Sequence, residues 1–311
     1  MQELKCLGYR ITTLSPSLLT GGTGDPNMVA TKENIPGTCV LGALAQRFIS
    51  KRNLGMKAHE DDVFFRWFLK GDVRFSNAYI VTRLDDMTLK CNYPIPLSIH
   101  EDKESEGDLY DLLLDDPEKV TKGLKGFGRI EGQTLYTQEV KKSLNFHHER
   151  DSFTGTTREG MIFNYESLDA GQTFEGTIMG SEQDLKQLTT TLGSTFETRI
   201  GRSRSAQYGR ISFTFLDMKD CAVTPTVKIT SSIILSLLSD AIVYNEMGMS
   251  TTDLEVLEAH IKTKLGSAVF IENAFVKTSE IENFISTWKL RKRLFPTFPS
   301  LKLRSEPLCN S

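Results

Sequence analysis

The chain has no CxxC pair, no Cys/His cluster and no apolar run long enough to cross a bilayer. Its five cysteines (Cys6, Cys39, Cys91, Cys221 and Cys309) are scattered, which argues against a zinc site and a disulfide framework and predicts reduced thiols. Residues 1–6 lack the charged-then-apolar pattern of an export signal, so the expected compartment is the cytoplasm, with no membrane partner. What remains is a globular composition of 311 residues, with room for one large or two ordinary domains around a real core.

A net charge of −3 offers no overall attraction to a polyanion, but the charge is unevenly spread. Residues 101–119 hold nine acidic and two basic side chains, a local charge of −7 that leaves +4 for the rest of the chain. A basic tract, Lys289-Leu290-Arg291-Lys292-Arg293, continues to Lys302 and Arg304. Such patches govern encounter more than the total does. The most pointed one is residues 201–210, where Gly201 and Gly209 flank Arg202, Ser203, Arg204, Ser205 and Tyr208, and Arg210 follows, with no acidic residue in the run. Glycine permits close backbone approach to a phosphate, arginine supplies a permanent forked donor, and tyrosine a flat face for a base.

Alternation at residues 4–14 predicts a first strand, and the glycine-rich 20–27 a loop. Apolar positions 40, 41, 44, 45, 48 and 49 share one face of a helix that opens at Gly37-Thr38 and ends near Lys51-Arg52. Free N–H groups at Gly37 and Thr38 would hold a phosphate, and Lys51 and Arg52 would extend a positive track to Arg202, Arg204 and Arg210. Arg47 is expected to be a solvated or salt-bridged surface residue. A single strand is expected at 73–81, a helix-like peripheral insertion at 101–119, a mobile stretch at 122–132, strands over 153–179, a helix at 184–192 and a closing strand at 211–217. Without the insertion this order is β-α-β-β-α-β, an α+β class with a ferredoxin-like, RRM-type domain over 1–217. Residues 222–311, with a strand in 227–243, a helix at 253–265 and strands at 268–287, read as a partial second ferredoxin-like module.

Three motifs then resemble one family. Ile35-Pro36-Gly37-Thr38 with Gly42-Ala43-Leu44 is similar to the IPGS-x-x-(K/R)-G-A-L signature of the CRISPR RAMP proteins. Residues 150–163, from Arg150 through Phe153, Gly155, Arg158, Gly160 and Met161 to Phe163, resemble that family's thumb hairpin, with Glu166 and residues 171–176 following in the family's manner. The loop 201–210 stands where the family carries its glycine-rich loop. Residues 239–242 and 283–292 further resemble the type III-D subunit that grips the crRNA 5′ handle. The resemblance implies a non-catalytic crRNA-binding subunit of an RNA-guided effector complex for antiviral defence. Its partners would be crRNA, target RNA, a large polymerase-like subunit and backbone subunits. Phe153 and Met161 would be wedges that unstack a guide–target duplex, while Phe163, a third candidate, is expected rather to pack in the core.

The same resemblance implies an alternative, a backbone subunit that cuts target RNA through Asp25 and a divalent metal; otherwise no cofactor is expected. Asp25 in a Gly-Asp-Pro-Asn string also suits an ordinary turn. His147-His148 raises metal-free cleavage by a general base, for which no partner groups can be read, so an ordinary histidine pair is the expectation. The remaining alternative is a scaffold that touches protein and no RNA.

Overall fold

The computed structural model describes residues 4–20, 28–105, 107–132, 134–150, 157–221, 232–266, 268–285 and 288–305. The chain divides into two compact units, Met1–Asn92 with Gln138–Val223, and Tyr93–Thr137 with Thr224–Ser311. In chain order the first unit contains β1 (Leu4–Thr13), α1 (Gly37–Arg52), β2 (Tyr79–Arg83), β3 (Lys142–Arg150), β4 (Thr157–Leu168), β5 (Thr173–Ser181), α2 (Glu182–Leu192), β6 (Thr195–Arg199) and β7 (Arg210–Asp220). It is a mixed α/β unit whose main sheet runs β6-β7-β1-β5-β2 and ends on the short strand Leu89–Cys91, antiparallel throughout. The helices α1 and α2 pack on each other and on this sheet.

Period-two alternation sends Leu7, Tyr9, Ile11 and Thr13 of β1 into the core. Tyr9 is fully buried, stacks on Phe213 at 5.3 Å between ring centres, and donates its hydroxyl to the Ser76 carbonyl at 2.7 Å. Burial pushes that hydroxyl far above its ordinary titration range, so it stays a neutral donor. Tyr9 stands opposite Gly176 in the β1–β5 register, and a Cβ at 176 would lie 2.4 Å from the Tyr9 oxygen. Each such aromatic contributes about 1.5–3 kcal/mol by leaving water.

The expected strand over 73–81 is two strands, Arg74–Phe75 and β2, and the break between them is used. There the Asn77 side chain accepts from the Gly37 N–H at 2.9 Å and Ser76 Oγ accepts from Thr177 N–H at 2.9 Å. Ser181 caps α2, accepting from Asp184 N–H at 3.1 Å, while the Ser181 hydroxyl donates to Asp184 Oδ2 at 2.6 Å. Trp67 Nε1 donates to Asp184 at 2.8 Å and Arg66 pairs with it. Burial pushes the Asp184 carboxyl up, but the bonds from Ser181, Trp67 and Arg66 outweigh it and hold the group below its ordinary value of 3.8.

Cys6 and Cys221 form a disulfide across 215 residues, with Cα atoms 4.9 Å apart, which corrects the expectation of reduced thiols for this pair. The reason is the antiparallel β1–β7 register, which sets Cys6 opposite Lys219 and carries the end of β7 past it. Cys39 and Cys91 are half-buried thiols outside that disulfide.

In the second unit, the described residues of 101–119 are not helical. Ile99–Asp102 pairs with Leu109–Asp111 and Thr121–Gly123 in a three-stranded sheet, and Asp102 is buried against Lys119 at 2.9 Å. Consecutive leucines at 112–114 cannot share a helical face, and only Leu113 is buried. The stretch 122–132, expected to be mobile, contains the strand Phe127–Glu131. The unit also contains β8 (Ser232–Leu235), α3 (Leu254–Leu265), β9 (Val269–Ile285) and β10 (Trp288–Ser305), with several shorter strands. Its sheet order is β8-β10-β9, antiparallel, and Leu257 of α3 is buried with Val243 among Leu235, Ile271 and Ala274.

Two tests follow from these contacts. Cys6→Ser should cost about 2–4 kcal/mol in urea unfolding without reductant, and nothing once reductant is added to both proteins. Asp184→Asn should cost about 1.5–3 kcal/mol at neutral pH by removing the charge to which Arg66 and Trp67 donate, Arg66 keeping Asp72 as its remaining carboxylate. Because the folded-state value of Asp184 is depressed, its contribution is complete above pH 3.8 and is lost as pH falls through the lower folded value. The variant and the parent should therefore converge in stability at acid pH.

Candidate nucleic-acid interface

β1 does not end in free loop; its continuation, residues 14–20, holds the glycine–arginine loop. Arg202 N–H donates to Leu18 O at 2.9 Å, Gly209 N–H to Pro16 O at 2.8 Å and Arg210 N–H to Ser15 Oγ at 2.9 Å. Gly201 and Gly209 have φ of 74° and 80°, and a Cβ at either would lie 2.3 Å from Leu18 O or 2.0 Å from Ile200 O. Both glycines are therefore required by backbone contact within the protein. The loop is closed from the other side by Arg199 at the end of β6. One of its guanidinium nitrogens faces the carbonyls of Arg204, Ala206 and Tyr208 at 2.7, 2.8 and 3.2 Å.

This packing sets the loop beside the C-terminal half of α1. Arg204 donates to Gln46 Oε1 at 2.9 Å, and an open cleft of 710 Å³ lies between the two elements. Arg47, Lys51, Arg199 and Arg204 line it with Gln46, Thr198 and serines, and among the described residues no acidic side chain does. Four cations without a carboxylate make a site that suits a run of phosphates. The positive field reaches the first turn of α1. Burial pushes the Cys39 thiol up, and Lys32 and Arg204 oppose that rise.

The expected site residues separate into groups. Lys51 and Arg204 line the cleft together with Ser203, and Arg202 is exposed on the loop. Arg52 pairs with Asp61 at 3.3 Å and lies over Phe48, while Arg210 pairs with Glu197 at 3.0 Å, so both are compensated within the protein. Tyr208 is 2% exposed; its ring belongs to the core and is no stacking face for a base, which corrects that expectation. The helix start is corrected too. Gly37 is buried, its N–H is taken by Asn77, and a Cβ there would meet Phe75 O at 2.2 Å. Thr38 remains exposed beside it. Arg47 is half-buried at the cleft wall and, among the described residues, has no carboxylate partner. Its Nε donates to Leu192 O at 2.8 Å, at the C-terminus of α2, and its guanidinium lies 3.8 Å over Phe196.

Two contributors were missed. Arg199 ends a strand too short and polar to be recognised from pattern, although its Thr195-Phe196-Glu197 alternation was the available signal. The second is the link between the first loop and the hairpin β3–β4. Met28–Val29 pairs in parallel with Asn164–Tyr165 of β4, Thr31 N–H donates to Glu166 at 3.1 Å, and Lys142 pairs with Glu33 and Glu166 at 2.9 and 3.0 Å. Lys142 is partly desolvated, which lowers its titration point, but the two carboxylates outweigh this and raise it. Arg150 ends β3, and Arg158, Met161 and Phe163 fall on β4 of this antiparallel hairpin, with His147 opposite Phe163 and His148 opposite Ile162. Asp25 and Phe153 lie outside the described residues. Among the described residues no group of three His, Cys, Asp or Glu side chains is placed to hold a metal ion.

No protein-family model and no curated protein sequence matches the chain. Among solved structures, a chain of the type III-B Cmr-beta complex bound to cognate target RNA is similar over 96% of this chain and 86% of that one, at 11% identity and a TM-score of 0.52. A chain of that complex bound to cognate target RNA and AMPPnP is similar over the same shares, at 12% identity and a TM-score of 0.52. The likeness is one of fold alone: the chain shares the fold of those Cmr-beta chains.

Gly209→Ala should cost about 1–3 kcal/mol in thermal unfolding, since alanine must either leave φ 80° or displace Ile200 O. Gly42→Ala, at a helical glycine with open space around it, is the control and should be neutral or slightly stabilising.

Proposed function

We propose that this chain is an RNA-binding subunit of a type III CRISPR effector complex, and that the cleft between α1 and residues 201–209 holds an RNA backbone. The observation that carries the reading is the cleft itself: Arg47, Lys51, Arg199 and Arg204 around one groove, with no carboxylate among the described residues that line it. The fold shared with chains of an RNA-bound Cmr-beta assembly supports the class of complex. Crowding four cations raises their mutual repulsion, which a polyanion relieves by releasing counterions as it binds.

The finer reading is a non-catalytic subunit of the type III-D kind, gripping the crRNA 5′ handle and bridging the large subunit to the backbone. The sequence resemblance at residues 35–44, 150–176, 239–242 and 283–292 supports it. A ferredoxin-like architecture accords with the order β7-β1-β5-β2 around two crossover helices, and the second unit's β8-β10-β9 has the same order for its first three strands. Target cleavage through Asp25 is the second reading. The ends of its loop are tied down by the Thr20–Thr31 bridge and by Met28–Val29 beside the hairpin, an arrangement that would steady a catalytic loop.

Sequencing of small RNA that co-purifies with the chain and its neighbouring subunits should recover species sharing one constant 5′ segment. Lys51→Gln with Arg204→Gln should weaken binding of that RNA and reduce the slope of log K against log salt by about 0.7 for each phosphate no longer neutralised. Recovery of no RNA from either the isolated chain or the assembly would leave a protein-only scaffold as the better account. Asp25→Ala should leave target RNA uncut or cut as before on the handle-binding reading. Abolished cutting would move the assignment to the slicing subunit.

A further inference from the structure

The loop beside the α1 cleft carries hydroxyls as well as cations. Ser203 and Ser205 line the cleft with Arg199 and Arg204, and residues 202–207 are all exposed. Ala206 N–H donates to Ser203 O at 3.1 Å, which closes a turn over 203–206 and sets Arg204 and Ser205 at its apex. Among the described residues the Ser205 hydroxyl has no hydrogen-bond partner, so it is open to an enzyme from solvent. Arg202 stands three residues before Ser205 and Arg204 one before, and no acidic residue lies between Arg199 and Arg210. An arginine three residues ahead of an exposed serine is the charge pattern that the acidic substrate groove of a serine kinase selects.

The same turn is built around a cation. The carbonyls on either side of Ser205, those of Arg204 and Ala206, converge on one guanidinium nitrogen of Arg199 at 2.7 and 2.8 Å. Arg199 is thereby fixed beside the peptide units that flank Ser205. Arg47, Lys51 and Arg204 complete a cleft in which, among the described residues, no carboxylate balances them. A phosphate on serine carries about −1.5 to −2 charges at neutral pH and, set against an arginine cluster, forms about one to three charge-assisted hydrogen bonds. Attached at Ser205, it would meet the cations that an RNA backbone needs, and its tether gives it a high effective concentration there. No aromatic side chain lines the cleft among the described residues, so a phosphate without a base competes on equal terms with a nucleotide.

We propose that Ser205 is a phosphoryl-acceptor site whose phosphate occupies the α1 cleft and closes it to RNA. The inference rests on the RNA-backbone reading of that cleft. In the modifying step Ser205 Oγ bonds to the terminal phosphorus of a nucleoside triphosphate held by a protein kinase. The bond from that phosphorus to the bridging oxygen breaks, a nucleoside diphosphate leaves, and the hydroxyl proton passes to a carboxylate of the kinase. The test compares Ser205→Glu with Ser205→Gln in the full chain, two variants of nearly equal size that differ by one charge. In low salt the Glu form should melt about 2 °C or more above the Gln form, and added salt should close the gap. Against a labelled single-stranded RNA the Glu form should bind about tenfold more weakly, with a salt slope shallower by about 0.7 for each phosphate it displaces. Both differences should shrink when Lys51→Gln and Arg204→Gln are added, which a purely local effect at position 205 would not do. An arginine-directed serine kinase with magnesium ATP should add a phosphate at Ser205 of the unsubstituted chain, located by fragment mass, and weaken RNA binding until a phosphatase restores it. Equal melting temperature and equal RNA affinity of the Glu and Gln forms would overturn the proposal, as would failure of the kinase to modify Ser205 or a phosphate there that leaves RNA affinity unchanged. A chain that binds RNA in no form defeats the cleft reading instead, and the melting comparison then decides alone whether charge at position 205 enters the cleft.

Discussion

Residues 14–20 are the seam on which the first unit depends. Ser17, Leu18 and Leu19 are buried, and their backbone groups bind three separate structures. Leu18 O and Pro16 O hold the loop 201–209, Ser17 exchanges both its N–H and its C=O with Leu168 at the foot of the β3–β4 hairpin, and Leu19 is bound to Thr31 and Lys32. A buried backbone group left unpaired costs as much as the bond it lacks, so the segment cannot shift without loosening all three. The glycine–arginine loop, the hairpin stem and the anchors of the loop containing Asp25 are thereby referred to one short piece of chain.

The cleft shows how a cluster of like charges is held without neutralising it. Arg199 is satisfied by three loop carbonyls, Arg47 by the last carbonyl of α2 and the face of Phe196, and Arg204 by the Gln46 amide. Carbonyl and amide dipoles orient a guanidinium while leaving its full charge for a ligand, whereas a carboxylate would cancel it. Arg52 and Arg210 show the other treatment. Each has a carboxylate within hydrogen-bonding or near-contact distance and lies outside the groove. The division between dipole-held and carboxylate-held arginines marks the boundary of the site.

The elements with strong periodicity were legible before any coordinates. β1, α1, β5, α2 and β7 fall close to their expected spans because alternation or a 3.6-residue stripe of apolar residues specifies which face must be buried. Weakly patterned pieces were not. β6 buries only Phe196, the strand break at Ser76-Asn77 is polar because its side chains serve other elements, and the acidic run 101–119 mixes leucines with carboxylates in no helical register. Gly201 was singled out for close approach by a phosphate, and Gly37 for a free N–H that would hold one. The approaching groups are Phe75 O and Leu18 O of the chain itself, rather than a ligand.

Taken alone, the order of residues determined the element types of the strongly patterned segments and the sign of each surface patch, since these depend on neighbours a few positions away. Which charges remain uncompensated, which tyrosine is lost to the core and which two of five cysteines meet were decided only in three dimensions. Arg204 and Arg210 are the same residue six positions apart, yet one meets an amide of α1 and the other a carboxylate of β6. Cys6 and Cys221 are brought together by a register between strands at opposite ends of the first unit. Partners so far apart in the chain are chosen by how the sheet closes, and no local pattern carries that choice.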